Sequence, residues 1–213
     1  MTVYSRKDFA RELDVSRETL VAFDAWHELL KKWNQTINLV SPAAMQGFWR
    51  RHALDSWQAT RFLPQGATRA IDLGSGAGFP GVALGIAMRE RGSGDVLLVE
   101  SAGKKATFLR TVARELDLPV RVAAERAEAL QEPEFDVVSA RAFAPLPRLL
   151  SHAERFWGQG TMGVFLKGEG VEAEIAEARR TYAFDVDSHA SLTSDRGKVL
   201  VVRGLERLEK AHA

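Results

Sequence analysis

The stretch from Arg69 to Leu84, RAIDLGSGAGFPGVAL, joins a short apolar strand to a helix through a glycine-rich turn. Gly74, Gly76 and Gly78 allow the backbone to turn sharply and a ligand to approach it closely. Pro80 suits the first turn of the following helix, where a missing N–H is no loss. Because a helix N-terminus facing such a turn favours anionic groups, the stretch predicts a nucleotide-type cofactor site.

Downstream of Thr68 the chain alternates between strand-like and helix-like segments, which is typical of a parallel sheet with crossover helices. Two late segments, 183–191 and 198–202, favour an edge hairpin. The pattern predicts an α/β fold with a Rossmann-like, seven-stranded, mostly parallel sheet. We expect strands at 69–73, 95–100, 120–123, 135–140, 161–167, 183–191 and 198–202, and helices at 81–91, 104–116, 146–156 and 171–181.

Residues 1–63 carry a helical pattern and predict an N-terminal extension. Ser5 and Ser16 are suited to cap two successive helices, and a further helix is expected over 48–62. The cofactor-binding domain is expected over 64–205. Residues 206–213 are expected to be a frayed tail.

Composition narrows the function classes. The chain has no cysteine, which excludes disulfides, cysteine-zinc sites and a thiol nucleophile. It has no apolar run near 18 residues and no apolar block of a signal peptide, so the cytoplasm is favoured. The net charge of +1 is far from that of a simple nucleic-acid binder. Contact with RNA would therefore need a local basic patch, such as 50–52 or Lys104, Lys105 and Arg110.

Three acids bear on the cofactor, and two of them, Asp72 and Glu128, separate the possible cofactors, since the glycine turn also matches the dinucleotide pattern. Asp72 suits a ligand with a cationic end, such as the methionine part of S-adenosylmethionine, and is a poor neighbour for a pyrophosphate. Glu100, at the end of the second strand, suits a ribose diol in either cofactor. Glu128, with the adjacent backbone amides, suits an adenine edge. Each acid also has a structural interpretation: a loop cap, a strand-end surface residue and a helix-face charge, respectively.

These acids and the final hairpin favour a class I methyltransferase that uses S-adenosylmethionine. Several blocks in order make the resemblance more specific, because the chain is similar to the RsmG (glucose-inhibited division protein B, GidB) family from about residue 25 to 202. The blocks are Asp72-Leu-Gly-Ser-Gly-Ala-Gly-Phe-Pro-Gly81, Trp33-Asn-Gln-Thr-Ile-Asn-Leu39, Arg51-His-Ala-Leu-Asp-Ser56, Lys104-Lys105 with Phe108-Leu109, and Ser139-Ala-Arg-Ala-Phe143.

The resemblance implies a methyltransferase that modifies N7 of one guanine in 16S rRNA, free or in the small ribosomal subunit. It implies that Gly74 and Phe79 line the cofactor site and that Ala127 and Glu128 hold the adenine. Arg141 is then expected beside both cofactor and target base. Family members often place serine directly before this arginine, whereas Ala140 stands there in this chain, which weakens a role for Ser139.

Within that interpretation, Asn38 and Arg51 are expected at the pocket rim as parts of the catalytic site with Arg141. The expected phosphate contacts are Lys104, Lys105, Arg110 and Lys167. His52 and Asp55, three residues apart, suit a structural polar pair at least as well as a catalytic one. We expect no metal ion, no DNA or membrane partner, and action as a monomer.

Other functions remain open at this point. The first is a methyltransferase for a small molecule or a protein, with the helical extension as a substrate lid. The second is a non-catalytic, adenosine-binding RNA-contact or ribosome-assembly protein, which would bind RNA without turnover. An NAD oxidoreductase is a distant third.

Overall fold

A seven-stranded sheet forms the centre of the protein in a computed structural model that describes residues 4–209. The strands are β1 Arg69–Leu73, β2 Asp95–Val99, β3 Val120–Ala123, β4 Val137–Arg141, β5 Met162–Lys167, β6 Tyr182–Ala190 and β7 Lys198–Arg207. The helices are α1 Arg6–Leu13, α2 Arg17–Asn34, α3 Pro42–Gln46, α4 Asp55–Thr60, α5 Gly81–Arg91, α6 Gly103–Glu115, α7 Leu146–Ala153 and α8 Val171–Ala178.

The strand order is β3-β2-β1-β4-β5-β7-β6. Strands β1 to β5 are parallel, and β7 is antiparallel to both of its neighbours. The predicted α/β class, with a seven-stranded and mostly parallel sheet, is therefore confirmed. The order reverses between β1 and β4, and ligands of such sheets bind outside the carboxyl ends of the strands at this reversal.

Helices cover both faces of the sheet, which explains why its central strands β1 and β4 are buried along almost their whole length. Successive residues of β2 point to opposite faces: Leu98 packs with α2, α5 and α6, whereas Leu97 packs with α7 and α8. Both leucines are almost fully buried. The sheet therefore separates two apolar cores.

The N-terminal helices belong to the core on the α5 side. The capping Ser5 hydroxyl accepts a hydrogen bond from the Asp8 N–H, and Ser16 caps α2 in the same way, as predicted. Trp26 of α2 is fully buried, with its ring 5.7 Å from that of Phe23 and 6.0 Å from that of Phe48. The extension thus packs into the same apolar cluster as the sheet.

The helix expected over 48–62 is not regular. Residues Trp49–Leu54 form a π-helix, and only Asp55–Thr60 are α-helical. A π-helix adds a residue to each turn, and hydrophobic spacing over so short a segment does not reveal this. Residues Pro42–Gln46 form the short helix α3, since the Ser41 hydroxyl accepts a hydrogen bond from the Ala44 N–H and Pro42 begins the helix.

The chain end also differs from the expectation. Strand β7 runs to Arg207, so Glu206 and Arg207 belong to the sheet and not to a tail. Backbone pairing with β6 extends this strand beyond the apolar run 199–202 that marks it in the sequence. Residues 210–213 of the expected tail lie outside the described residues.

No helix found between residues 4 and 209 combines the length and the apolar character that crossing a lipid bilayer requires.

Replacing Trp26 by alanine is expected to lower the free energy of unfolding by about 3–5 kcal/mol, because it leaves a large cavity between α2 and the glycine-rich turn. Urea unfolding followed by circular dichroism measures this change. Val21→Ala on the same helix is the control, since its side chain is 56% exposed, and should change stability by less than about 0.5 kcal/mol. Equal effects of the two substitutions would contradict the packing described.

Candidate active site

The glycine-rich turn follows β1 at the carboxyl edge of the sheet. Gly74, Gly76 and Gly78 all have positive φ angles, of 67°, 58° and 99°, which residues with a side chain rarely adopt. A Cβ atom at Gly74 would lie 2.4 Å from Cδ2 of Phe143, so this ring covers the start of the turn. Glycine at position 74 thus brings the turn and the segment after β4 into direct contact.

Glu100, directly after β2, is bound to the turn. Its Oε2 accepts a hydrogen bond from the Gly76 N–H at 2.9 Å, and its Oε1 accepts one from the Ala102 N–H at 2.8 Å. The side chain is almost buried but still lines a pocket. A carboxylate therefore already satisfies an amide of the turn, and its charge opposes the binding of a phosphate there.

This pocket, the β1–β2 pocket, lies above the carboxyl ends of β1 and β2. The adjoining turn 127–129 closes one side of it, and Phe143 and His152 close another. Its lining includes Gly74, Val99, Glu100, Ala127, Glu128, Phe143 and His152. The structure thus brings together Gly74, Glu100, Ala127 and Glu128, which were predicted to hold the cofactor.

The turn that carries Ala127 and Glu128 is held from behind. Arg155 donates hydrogen bonds to the backbone carbonyls of Glu128 and Leu130, the second at 2.8 Å. The Glu128 side chain is 54% exposed and lies 3.3 Å from Nδ1 of His152. Its carboxylate is therefore free enough to accept a hydrogen bond from a ligand in the pocket.

Asp72 lies behind the turn and not in the pocket. Its carboxylate is fully buried and accepts hydrogen bonds from the Gly81 N–H at 3.2 Å and from Ser139 Oγ at 2.7 Å. Burial raises the pKa of Asp72 to about 6, although these hydrogen bonds favour the ionised form. Asp72 therefore does not line the β1–β2 pocket, and its position matches the loop-cap interpretation.

Gly78 and Phe79 face the N-terminal extension. A Cβ at Gly78 would meet Val82 at 2.4 Å and Trp26 at 3.2 Å. The Phe79 ring lies 4.8 Å from the Trp26 ring and stacks on the His52 ring at 4.2 Å, with an interplanar angle of 8°. Both residues were expected at the cofactor site, but neither lines the β1–β2 pocket. The aromatic side chains of the extension cover this part of the turn.

Arg141, the last residue of β4, lines a second pocket, the β4–β5 pocket, at the ends of β4 and β5. Its Nη1 donates to the Arg51 carbonyl and to Asp55 Oδ2, both at 2.9 Å, and its guanidinium lies 4.7 Å from the centre of the Phe79 ring. Arg141 thus joins the sheet to the extension. It does not line the β1–β2 pocket, so its predicted position beside the cofactor is not observed directly.

His52 completes this group of contacts. Burial, with the charges of Arg141 and Arg51, lowers the pKa of His52 to about 3. The imidazole is therefore neutral at physiological pH. Arginine has only donors, so Nδ1, 3.2 Å from Arg141 Nη2, is the acceptor and Nε2 carries the proton. The structural interpretation of His52 and Asp55 is supported, and both side chains contact Arg141.

The two pockets lie on either side of the segment 141–143. Arg141 faces the β4–β5 pocket and Phe143 the β1–β2 pocket. Between them Ala142 has a φ of 51°, an uncommon conformation for a residue with a side chain. Such strain in a short segment is frequent at functional sites. The arrangement suits a reaction in which a group passes from one pocket to the other.

Two of the predicted RNA-contact or rim residues lie in unexpected places. Nζ of Lys167 is 2.6 Å from Glu174 Oε2, and the lysine side chain is only 10% exposed, so it is not free to contact a phosphate. Asn38 is exposed and lines neither pocket. Instead Asn34 fixes that loop, since its Oδ1 accepts from the N–H groups of Leu39 and Val40.

The other predicted basic residues lie at the surface. Lys104 is exposed and Lys105 is partly exposed at the N-terminal end of α6, directly after the β1–β2 pocket. Arg110 is exposed on the same helix and donates to the Val122 carbonyl at 3.3 Å. Arg51 is exposed and lines the β4–β5 pocket as expected.

Sequence reasoning missed Lys198 and Gln58, which also line the β4–β5 pocket. Lys198 begins β7 and stands opposite Lys167 of β5 in the antiparallel ladder. Like charges directly opposite one another are unfavourable. Of these two lysines, only Lys167 has a carboxylate partner within residues 4–209. A lysine beginning the last strand was visible in the sequence, but its neighbour across the sheet was not.

Comparisons with known proteins agree with this architecture. A family model described as rRNA small subunit methyltransferase G matches residues 19–209. The Ribosomal RNA small subunit methyltransferase G of Parvibaculum lavamentivorans is 44% identical over 205 residues, which cover 95% of this chain and 91% of that protein. The protein of the same name from Caulobacter vibrioides is 43% identical over 195 residues, which cover 92% of this chain and 88% of that protein.

A solved structure is also similar. It is a mutant of MtNAS in complex with S-adenosylmethionine, with a TM-score of 0.54 and 16% identity. The match covers 92% of this chain and 83% of that chain. At this level of sequence identity, the similarity shows that the two proteins share a fold and nothing more.

The buried Asp72 gives a pH dependence of stability with a defined sign. Since its folded-state pKa of about 6 lies above the value of 3.8 in an unfolded chain, the stabilisation is complete below pH 4 and is lost as pH rises through 6. Relative to Asp72→Asn, the wild type should lose about 2 kcal/mol of unfolding free energy between pH 4 and 7. Urea unfolding at several pH values measures this difference.

Asp136→Asn provides a control of opposite sign. Burial opposes ionisation of Asp136, but hydrogen bonds from Thr68 and Arg69 lower its pKa. The wild type should therefore gain stability relative to Asp136→Asn as pH rises above the folded-state pKa of Asp136. A stability difference between wild type and Asp72→Asn that stays flat from pH 4 to 7 would contradict the burial of an ionisable carboxyl at position 72.

Proposed function

The chain belongs to the rRNA small subunit methyltransferase G family, and we propose that it transfers a methyl group from S-adenosylmethionine to N7 of a guanine in small-subunit rRNA. The family resemblance inferred from the motif blocks is thereby confirmed. The observation that carries the proposal is the pair of pockets on either side of Arg141 and Phe143. One pocket suits the cofactor and the other suits the target nucleotide.

The β1–β2 pocket fits S-adenosylmethionine by its donor set. Glu100 is positioned to accept hydrogen bonds from a ribose diol, and Glu128 with the 127–129 turn is positioned for an adenine edge. The Gly76 amide is already paired with Glu100, which disfavours the pyrophosphate of a dinucleotide. This supports S-adenosylmethionine over NAD. When bound, S-adenosylmethionine supplies an electrophilic methyl group.

The β4–β5 pocket suits an anionic nucleotide. Its cations are Arg51, Arg141, Lys167 and Lys198, and its carboxylates are Asp55 and Glu174. Each carboxylate pairs with one cation, Asp55 with Arg141 and Glu174 with Lys167. Among the described residues Arg51 and Lys198 have no carboxylate partner, and this excess of positive charge supports contact with the phosphates of an RNA strand.

The reaction needs no general base. Guanine N7 carries a lone pair and no proton, so the N7–carbon bond forms as the sulfur–carbon bond breaks. The positive charge moves from sulfur to the purine, and no proton is transferred. The neutral His52, with its pKa near 3, is consistent with a site that moves no proton.

Catalysis then depends on alignment and on the control of charge. Arg141 is held by three contacts to the extension and is positioned to orient the base or a phosphate at the segment that separates the pockets. Holding both reactants in line removes an entropic barrier. The stacked Phe79 and His52 rings, which are almost buried, support the guanidinium from below.

Several further expectations belong to this proposal. Action as a monomer is part of the proposal. A small-subunit rRNA substrate implies work in the cytoplasm. Lys104, Lys105 and Arg110, on the helix that begins beside the β1–β2 pocket, are proposed to contact more distant phosphates.

The first test uses purified protein, labelled S-adenosylmethionine, and 16S rRNA or small subunits from a strain that lacks the corresponding gene. Nucleoside mass spectrometry should find 7-methylguanosine at one site. Arg141→Ala should lower turnover by about 100-fold, as for the loss of one charge-stabilising donor, while S-adenosylhomocysteine affinity measured by calorimetry stays within about threefold.

Arg203→Ala is the matched control, since Arg203 forms an exposed ion pair with Asp187 on the edge hairpin, and it should retain activity. Methylation of a small molecule or a protein instead of rRNA would reject small-subunit rRNA as the substrate. RNA binding without turnover would favour a non-catalytic assembly role.

The second test concerns the basic helix. Replacing Lys104, Lys105 and Arg110 by alanine should weaken RNA binding and reduce the slope of log affinity against log salt by about 2. Filter binding across a salt series measures this slope. Alanine at Arg179 and Arg180 is the control, because these arginines follow α8 at the opposite edge of the sheet. An unchanged slope in the α6 variant would reject the contact.

A further inference from the structure

The Asp55 carboxylate connects three parts of the β4–β5 pocket. Its Oδ2 accepts a hydrogen bond from Arg141 Nη1 at 2.9 Å. Its Oδ1 accepts from Thr193 Oγ1 at 2.7 Å and from Gln58 Nε2 at 2.9 Å. Asp55 therefore binds the end of β4, its own helix and the loop between β6 and β7 at once.

Gln58, one turn further along α4, binds the backbone of the same loop through its side chain. Its Oε1 accepts a hydrogen bond from the Leu192 N–H at 2.9 Å, and its Nε2 also lies 3.3 Å from Ser191 Oγ. The side chain is only 2% exposed. A buried amide with both ends paired specifies one position for its partners, because leaving either end unpaired is costly.

The loop 191–197 forms a wall of the β4–β5 pocket through Ser191, Thr193 and Ser194. Its own hydrogen bonds close it, from the Ser191 N–H to the Gly197 carbonyl and from the Gly197 N–H to the Ser194 carbonyl. These internal bonds give the loop its shape but not its distance from Arg141. That distance depends on the contacts with Asp55 and Gln58.

We propose that Asp55 and Gln58 are positioning residues that hold Arg141 and the 191–197 loop as facing walls of the target pocket. The inference rests on the proposed function, because it assigns the pocket to the target nucleotide. Gln58 contacts the loop directly and reaches Arg141 only through Asp55, so its main effect is expected on RNA binding. Asp55 acts through both walls and therefore on RNA binding and on turnover.

Hydrogen exchange tests the clamp without any activity measurement. In Gln58→Ala the peptide that contains residues 191–197 should exchange at least about tenfold faster than in the wild type, since the Leu192 N–H loses its acceptor. Peptides from β1 and α5 should be unchanged. Unchanged exchange in the 191–197 peptide, with the variant folded, overturns the clamp.

Kinetics test the positioning. Gln58→Ala should raise KM for 16S rRNA by about tenfold with little change in kcat, because the 191–197 loop loses its bonds to the Gln58 amide while Asp55 keeps its bonds to Arg141 and Thr193. Asp55→Asn should raise KM similarly and also lower kcat, because an amide that accepts from Arg141 turns its Nδ2 donor toward the Gln58 Nε2 donor and carries no charge to pair with the guanidinium. S-adenosylhomocysteine affinity should stay unchanged in both variants.

Asp187→Asn is the matched control, a carboxylate of the same hairpin in an exposed ion pair. The double variant Asp55→Asn with Thr193→Val should be less impaired than the product of the two single effects, because both remove one contact. Lowered thermal stability with unchanged KM and kcat would show a merely structural role and overturn the inference. If Asp55→Asn does not fold, Gln58→Ala still decides it.

The outcomes separate the two proposals. No 7-methylguanosine from the wild-type protein would reject the proposed function, whatever the exchange data show. Wild-type methylation with a normal KM in Gln58→Ala would reject the positioning roles and leave the proposed function intact.

Discussion

The guanidinium of Arg141 is the contact on which the arrangement of the site depends. It ends the central strand β4 and binds the carbonyl of Arg51, the carboxylate of Asp55 and the imidazole of His52. Because all three partners belong to the N-terminal extension, one side chain joins the extension to the sheet edge at the site. Burial is the main cause of the neutral state of His52, and the charge of Arg141 adds to it.

The glycines of the turn serve different purposes, although the sequence presents them as one motif. Gly74 allows the contact with Phe143 that joins the turn to the segment after β4, whereas Gly78 allows Trp26 to approach from the extension. Gly81 gives space to Asp72, which would lie 2.6 Å from a Cβ there. The motif thus organises the surroundings of the pocket as much as the pocket itself.

The charges at the sheet edge balance unevenly. Asp55 and Glu174 pair with Arg141 and Lys167, whose side chains are 20% and 10% exposed. Such pairing offsets the cost of burying a charge. Among the described residues, Arg51 and Lys198 line the same pocket without a carboxylate partner. The same edge therefore contains both paired and unpaired cations.

The sequence by itself determined the α/β class, the bounds of β1 and α5, and the position of Glu100 and Glu128 beside the turn, because periodicity and glycine spacing are local properties. It did not reveal the π-helix at 49–54, the burial of Asp72, the ion pair of Lys167 or the contribution of Gln58 and the 191–197 loop. Those depend on which segments meet in the folded chain, as Gln58 and Leu192 do across 134 residues. Only the tertiary structure decided them, since hydrogen bonding and desolvation depend on neighbours in space.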